Sequence, residues 1–210
     1  DLERKNAEQE LEAIINDNSS NIPIKYYIIK GSIFSDIGKL AEKLNASAII
    51  MATHGAKGMQ KVFGSFAMKV IISTKVPFMI VQKSTEIKRI NKLLLPINHS
   101  SESLQISSFA RNIAEVYKSQ IHVVAKKESD KTKAIKIKNH LKVLAQNLKK
   151  NNIDYHLELI ESEETWIQSV LEYGSRNNVN MFALSFDSDR FLASTDKFSQ
   201  SLIFNKMNLP

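Results

Sequence analysis

The sequence predicts an α/β protein in which parallel strands are covered by helices on both faces. Two observations carry this prediction: short apolar runs alternate with amphipathic segments along the chain, and the connections between them are short. Continuous apolar runs such as ASAIIMAT and VPFMIVQ are typical of parallel strands that are buried on both faces. Right-handed crossovers then place helices on both sides of each sheet, as in doubly wound folds.

The first part of the chain alternates helices with strands. Ile37, Leu40, Ala41 and Leu44 recur at i, i+3, i+4 and i+7, which predicts an amphipathic helix. The predicted strands are rich in β-branched and aromatic residues. In chain order the elements are a helix over residues 1–18, the strand IPIKYYIIKG, the helix around 37–44, the strand ASAIIMAT, a glycine loop, a helix around 67–74 and the strand VPFMIVQ.

After the polar stretch STEIKR the alternation begins again. Serines at the start of SSESLQISSFARNIAEVYKS predict a helix N-cap, with Glu102 in the first turn. The predicted strands are INKLLLPI, QIHVVAK, IDYHLELIE and VNMFALSF. The predicted helices are the serine-capped segment, a lysine-rich segment, ETWIQSVLEYGSRNN and STDKFSQSLIFNKM.

The two halves resemble each other, which indicates an internal duplication. Asn21 stands opposite Asn152 and Ala52 opposite Ala183, both with an offset of 131 residues. We therefore expect two similar domains, residues 1–84 and 91–210, joined by a linker at 85–90. Both copies are expected to be incomplete: the first lacks an opening strand, helix and strand, and the second lacks its last strand.

The composition of the chain excludes several kinds of site. With 210 residues, 43% of them hydrophobic, the chain can bury one large core or two small ones. It has no cysteine, which excludes disulfides and thiolate metal sites. No apolar run approaches the ~20 residues of a membrane-spanning helix. The five histidines show no metal-ligand spacing, so we expect no metal site.

The net charge of +7 is unevenly distributed. Between Lys126 and Lys150, nine lysines accompany only Glu128 and Asp130. One interpretation is a surface for nucleic acid or membrane. The favoured interpretation is the solvated face of a helix, because an apolar stripe lies beneath the lysines and no aromatic residue interleaves them for base stacking. We therefore expect neither a nucleic-acid nor a membrane partner.

The loop in MATHGAKGMQKVFGS is the strongest candidate for a ligand site. It follows a predicted strand, and open parallel sheets bind ligands outside the carboxyl ends of their strands. Gly55, Gly58 and Gly64 allow the backbone to approach a ligand closely. Ser65 lies just before a predicted helix, whose free N–H groups attract anions. The alternative, that the glycines only turn the chain, stays open at this point.

The stretch MATHGAKGMQKVFGSFAMKVI followed by VPFMIVQ resembles the end of a universal stress protein domain, and LLLPINHSSESLQISSFARNIA resembles the opening of another. The resemblance implies a tandem member of that family, truncated at both ends. It also implies the adenine nucleotide alpha hydrolase-like fold, with a parallel sheet in the order 3-2-1-4-5. Some members of the family bind ATP or AMP, and others bind no nucleotide.

The family's loop motif, Gly-x2-Gly-x9-Gly-Ser/Thr, is matched in part. Gly55 matches its second glycine, Gly64 its third and Ser65 its hydroxyl, whereas Ala52 replaces the first glycine. Eight residues rather than nine separate Gly55 from Gly64. The cofactor-binding residues that the resemblance implies are Met51, Gly55, Gly58, Gly64, Ser65 and Phe66.

The second copy departs further from the motif. Asn98 stands where nucleotide-binding members carry an Asp at the end of the first strand. The loop in ALSFDSDRFLASTDKFSQS has no glycine, and Asp187 and Asp189 would repel phosphate. We therefore expect no nucleotide phosphate in the second domain.

The resemblance implies a cytoplasmic stress-response regulator without catalytic residues, for which weak ATP hydrolysis stays an open alternative. ATP or AMP is the candidate cofactor of the first domain, and neither is expected to bind this truncated chain. A second alternative is a nucleotide-free scaffold for dimerisation or partner binding. A third, an ATP-pyrophosphatase-like enzyme, would need a Ser-Gly-Gly-x-Asp-Ser loop where this chain has PINHSSES. Self-association is expected through the apolar strand Val76–Val81, with Phe78 and Ile80 at the contact.

Overall fold

The computed structural model describes residues 2–18, 21–53, 69–71, 73–82, 89–185, 197–203, 205, 207 and 209–210. The described strands are β1 (Ile49–Thr53), β2 (Phe78–Gln82), β3 (Lys92–Ile97), β4 (Gln120–Lys126), β5 (Tyr155–Ile160) and β6 (Met181–Phe182). The described α-helices are α1 (Leu2–Asp17), α2 (Ile33–Lys43), α3 (Ser107–Tyr117), α4 (Lys131–Lys150), α5 (Trp166–Arg176) and α6 (Lys197–Ile203).

The larger sheet has four parallel strands in the order β5-β4-β3-β6. Numbered from its own first strand, this order is 3-2-1-4, which agrees with the order that the resemblance implies. The chain leaves β3 toward one side of the sheet and later crosses to the other side to form β6. A switch point of this kind lies between β3 and β6, where doubly wound sheets usually bind ligands.

Two apolar layers cover the larger sheet. Alternate residues of a strand point to opposite faces, so Leu93 and Leu95 pack with α3 and α4, whereas Leu94 packs with α5 and α6. Each of these three leucines is at most 1% exposed. The fold class predicted from the apolar runs, an α/β protein with parallel sheets, is therefore confirmed.

The smaller sheet consists of β1 and β2, which are parallel and pair from Ile49 with Phe78 to Thr53 with Gln82. The prediction that ASAIIMAT is buried on both faces is wrong for this strand. Ile50 is 68% exposed and Ala52 is also exposed. Among the described residues β1 has one neighbouring strand, β2, so its other edge is unpaired.

The predicted strand IPIKYYIIKG is not a strand. Residues 23–30 have no regular secondary structure and pair with no described strand. Apolar side chains of the segment 22–30 face solvent, including Ile22 at 72% and Ile29 at 53% exposure. The segment has the composition of a strand, but a parallel strand forms only where a neighbour supplies its hydrogen-bond partners.

The serine-rich start of the third helix also differs from the prediction. Instead of one N-capped α-helix, a 3-10 turn at Ser101–Leu104 precedes α3, whose N-cap is Ile106 without a side-chain hydrogen bond. The serine hydroxyls bond to nearby carbonyls: Ser103 donates to Ser100, and Ser107 to Leu104. Such local bonds compete with a regular helical start.

The internal duplication stays a prediction. Of the paired segments, the strand β1 around Ala52 has the counterpart β6 before Ala183, and both run parallel to their neighbours. The other pair differs, because the segment after Asn21 is unpaired whereas the segment after Asn152 contains β5. The predicted linker at 85–90 lies mostly outside the described residues.

Candidate functional site

The first candidate site is the carboxyl end of β1. Met51 lies in this strand, half-buried, and pairs with Ile80 of β2. Ala52, which replaces the motif's first glycine, is a strand residue, and its φ is not among the positive values of the described non-glycine residues. An alanine is therefore sterically acceptable there. The remaining predicted ligands, Gly55, Gly58, Gly64, Ser65 and Phe66, lie outside the described residues.

The second candidate site is the carboxyl end of β3, where Asn98 occupies the position of the family's Asp. Its side-chain Oδ1 accepts a hydrogen bond of 2.7 Å from the backbone N–H of Ser100. Its own backbone N–H donates to the hydroxyl of Ser103 at 3.3 Å. The side chain thus holds its own turn closed, which is a structural role that asparagine commonly fills.

A cavity of about 400 Å³ opens beside this turn. Its lining combines the turn with the exposed side of α4: His99, Ser100, Ser101, Glu102, Lys136 and His140. His140 Nδ1 lies 3.0 Å from the carbonyl oxygen of Asn98, which ties the helix to the turn. With one lysine, one glutamate and two histidines the lining is electrostatically mixed. It resembles neither a glycine-rich phosphate cradle nor an apolar ligand pocket.

The crevice at the switch point is partly closed. The hydroxyl of Ser185, just beyond β6, donates a hydrogen bond to the backbone carbonyl of Glu102. This bond joins the two chain segments that a ligand between β3 and β6 would have to separate. Asp187, Asp189 and Ser199, on which the expected absence of phosphate depends, carry no described side-chain geometry, so that expectation stays a prediction.

A larger cavity of about 1210 Å³ lies between the two sheets. Phe78 and Ile80 of β2 line one side, and Met181 and Ala183 line the other. Near it the two halves of the chain touch: Met79 packs against the core of the larger sheet, and Gln82 Nε2 donates to the carbonyl of Asn205 at 3.1 Å. The expected self-association through Val76–Val81 stays a prediction.

A polar network that the sequence analysis missed lies at the amino edge of the larger sheet. His122 is 96% buried, and its Nδ1 lies 2.8 Å from the hydroxyl of Tyr173 while its Nε2 lies 2.7 Å from Oε1 of Gln120. Gln120 in turn donates through Nε2 to Asp154 at 2.8 Å. The signal was present in the alternation of polar side chains at 120 and 122 along an otherwise apolar strand.

The direction of each hydrogen bond in this network follows from the carboxylate at its end. The carboxylate of Asp154 accepts, so the amide nitrogen of Gln120 faces it and the amide oxygen faces His122. His122 Nε2 must then carry the proton, and Nδ1 accepts from Tyr173. Burial, followed by the charges of Lys92 and His156, lowers the pKa of His122, while burial raises the pKa of Tyr173 to about 12.

The network lies at the opposite edge of the sheet from the carboxyl ends that bind ligands in this class of fold. Two of its titratable side chains are nearly inaccessible, with Tyr173 at 2% and His122 at 4% exposure, and the third, Asp154, is exposed at the end of the network. The arrangement therefore resembles a buried structural relay rather than a site that a substrate reaches. The described residues hold no group of three or more His, Asp or Glu side chains arranged to bind a metal.

Comparison with known proteins finds a family match in the first segment of the chain, residues 1–82. Residues 1–82 match the model of the Universal stress protein family, and this range contains β1, β2 and the whole glycine loop between them. This segment is therefore similar to universal stress proteins over 82 of the 210 residues of the chain. Among curated proteins, none matches this chain. The described residues include no helix with the length and apolar character that a bilayer span requires.

Solved structures extend the likeness beyond the first segment, as a likeness of fold. A universal stress protein from Archaeoglobus fulgidus DSM 4304 matches 85% of this chain at 18% identity, with a TM-score of 0.67. A functionally unknown protein from Pseudomonas aeruginosa PAO1 also matches 85%, at 11% identity and a TM-score of 0.52. The chain covers 66% and 65% of those two proteins, so it spans about two thirds of their length.

A further universal stress protein structure is a complex with cAMP. It matches 50% of this chain at 13% identity, with a TM-score of 0.39. A superposition this limited does not place the ligand of that protein on residues of this one.

Proposed function

We propose that this chain is part of a universal stress protein-like regulatory protein that acts by binding rather than by catalysis, with one nucleotide site in its first segment. The proposal rests mainly on the parallel pair β1–β2. The carboxyl end of β1 leads directly into the glycine loop, and residues 69–71, after the loop, are helical. A loop between a parallel strand and a following helix is where doubly wound folds bind phosphate.

The second segment of the chain, residues 91–210, supports a single site rather than two. There the side chain of Asn98 is engaged in its own turn, and Ser185 joins the two sides of the crevice. We therefore assign weak binding of ATP or AMP to the loop from Gly55 to Ser65, and a supporting role to the second segment. A cytoplasmic location, which the family resemblance implies, is part of the same proposal.

A titration of the full-length protein with ATP, AMP and cAMP tests the nucleotide site. A ligand at 100 times its Kd stabilises the folded state by about 2.7 kcal/mol, which raises the Tm of a protein of this size by roughly 5–10 °C. Replacing Gly64 with Val, or Ser65 with Ala, should reduce the shift. Ser108→Ala on the exposed side of α3 is the matched control and should leave it unchanged.

The outcome separates two functions. A ligand-dependent Tm shift that disappears in Gly64→Val supports the nucleotide site. If millimolar ATP, AMP and cAMP leave the Tm of the full-length protein unmoved, the site is absent and the scaffold alternative replaces it. The large cavity between the sheets is the observation that favours that second candidate, because it leaves apolar residues of β2 half-exposed.

A further inference from the structure

Helix α4 carries the whole net charge of the chain. Between Lys131 and Lys150 the sequence has seven lysines and no aspartate or glutamate. The chain as a whole has a net charge of +7, so the remaining residues sum to zero. Solvated helices usually mix both signs, because oppositely charged side chains four residues apart stabilise each other. A helix with lysines alone is therefore unusual for a face that only meets water.

Four of these lysines form a straight row, here called the lysine stripe: Lys131, Lys138, Lys142 and Lys149. Their spacings of 7, 4 and 7 residues place them within about 40° of each other around the helix axis, at about 100° per residue. The row is about 27 Å long at about 1.5 Å per residue. All four side chains are exposed, whereas the buried face of α4, formed by Ile137, Leu144 and Leu148, lies about 120° away.

The charges of the lysine stripe are not neutralised by the described part of the chain. No ion pair within 4 Å joins them to a described acid. Two nearby acids are engaged elsewhere: Asp130 caps the helix by accepting from the backbone N–H of Lys133, and Asp154 accepts from Nε2 of Gln120 at 2.8 Å. Four like charges in a row repel one another, and an external polyanion would relieve that repulsion.

We infer that the lysine stripe binds the phosphate backbone of a nucleic acid without sequence preference. The row is straight, and its length of about 27 Å corresponds to about 8 base pairs along a duplex axis at about 3.4 Å each, so it can meet phosphates along one side of the duplex. Helix α4 contains no arginine and no Phe, Tyr or Trp, so it lacks guanidinium contacts and large rings for base stacking, and its lysines offer phosphate contacts.

The same geometry disfavours a membrane surface. A helix that lies on a bilayer inserts its apolar face between the lipids. The apolar face of α4 is occupied, because Ile137, Leu144 and Leu148 are 96–98% buried against the sheet. The exposed Ile135 and Val143 are single aliphatic residues without an aromatic anchor. The structure thus goes beyond the solvated face that the sequence favoured, because it places four uncompensated charges in one line.

Fluorescence anisotropy with a labelled 20-base-pair duplex of random sequence tests the inference. The probe is titrated with the protein between 50 and 200 mM KCl. Each neutralised phosphate contributes about −0.9 to the slope of log K against log salt, so four contacts predict a slope of about −3 to −4 and a roughly 100-fold loss of affinity over this range.

Three fourfold variants separate the effect of the stripe from that of net charge. The stripe variant, K131Q/K138Q/K142Q/K149Q, should lose binding, and the corresponding Lys→Arg variant should retain it. The matched control, K5Q/K25Q/K30Q/K43Q, removes the same charge from exposed lysines elsewhere and should bind as wild type does. Glutamine has nearly the helix propensity of lysine, and circular dichroism confirms that α4 stays folded.

Three results would overturn the inference. The first is a wild-type protein that does not bind the duplex at 50 mM KCl. The second is an equal loss of binding in the stripe variant and the control, which would make net charge the cause. The third is binding to vesicles that contain phosphatidylserine, or to polyglutamate, with higher affinity than to the duplex, which would assign the stripe to another class of partner.

Discussion

The imidazole of His122 accepts a hydrogen bond of 2.8 Å from the hydroxyl of Tyr173 inside the apolar layer between β4 and α5. We expect Tyr173→Phe to lower the free energy of unfolding by about 1–3 kcal/mol, because it leaves Nδ1 of His122 buried without a donor. Urea denaturation measures the change. Tyr117→Phe, on the exposed surface of α3, is the control and should stay within about 0.5 kcal/mol of wild type.

The same histidine predicts a loss of stability at acid pH. In the unfolded chain its pKa is near the usual 6.5, and in the folded state burial holds the pKa lower. Below about pH 6.5 the unfolded state therefore binds more protons than the folded state. The free energy of unfolding should fall as the pH decreases from about 6.5 toward the folded pKa, by at most about 1.4 kcal/mol per pH unit for one proton.

His122→Gln isolates this contribution, because glutamine has no proton to gain in this range. Its unfolding free energy should change less between pH 7.5 and 5 than that of wild type, whatever its absolute value. Val143→Gln, at a 56%-exposed residue of α4 that carries no titratable group, is the control and should keep the wild-type slope. Identical slopes in wild type and His122→Gln would contradict the assignment.

Some of these features were readable from the sequence and others were not. Helical spacing predicted α2, and a continuous apolar run predicted β2, because each pattern reflects burial within one element. The segment 22–30 has the composition of a strand. Whether it forms one depends on a neighbouring strand, which the pattern of its residues does not specify. The His122–Tyr173 contact joins residues 51 positions apart, and such pairing depends on register rather than on local composition.

Gly38 tests how tightly α2 packs against Ser73 and Thr74, which precede β2. A Cβ added at Gly38 would lie 2.9 Å from Cβ of Thr74 and 3.3 Å from the backbone oxygen of Ser73. Because a backbone atom cannot easily move, Gly38→Ala should destabilise the first segment by about 1–3 kcal/mol despite its better helix propensity. Lys39→Ala, at a 76%-exposed side chain of the same helix, is the control in the same denaturation experiment.

The edge of β2 tests the predicted self-association. If Phe78 and Ile80 line a contact between chains, Ile80→Glu should shift a dimer to monomer in analytical ultracentrifugation, because it places a charge in an apolar interface. Val116→Glu makes the same change at a 76%-exposed residue of α3 and should leave the assembly unchanged. A wild-type chain that is monomeric at 100 μM, on the order of the concentration at which weak dimers form, would remove this prediction.

Substitutions at Asn98 test whether this side chain stabilises its own turn or is the remnant of a nucleotide-binding position. Its Oδ1 accepts from the backbone N–H of Ser100, so Asn98→Ala should cost about 0.5–1.5 kcal/mol of stability. Asn98→Asp keeps an acceptor in the same place and should cost less. It also restores the acid that nucleotide-binding members carry, yet we expect it to confer no ATP- or AMP-dependent Tm shift on the second segment, because that acid would remain bonded to its own turn. A shift that appears in Asn98→Asp and persists when Gly64→Val is added would show that the second segment retains a latent nucleotide site.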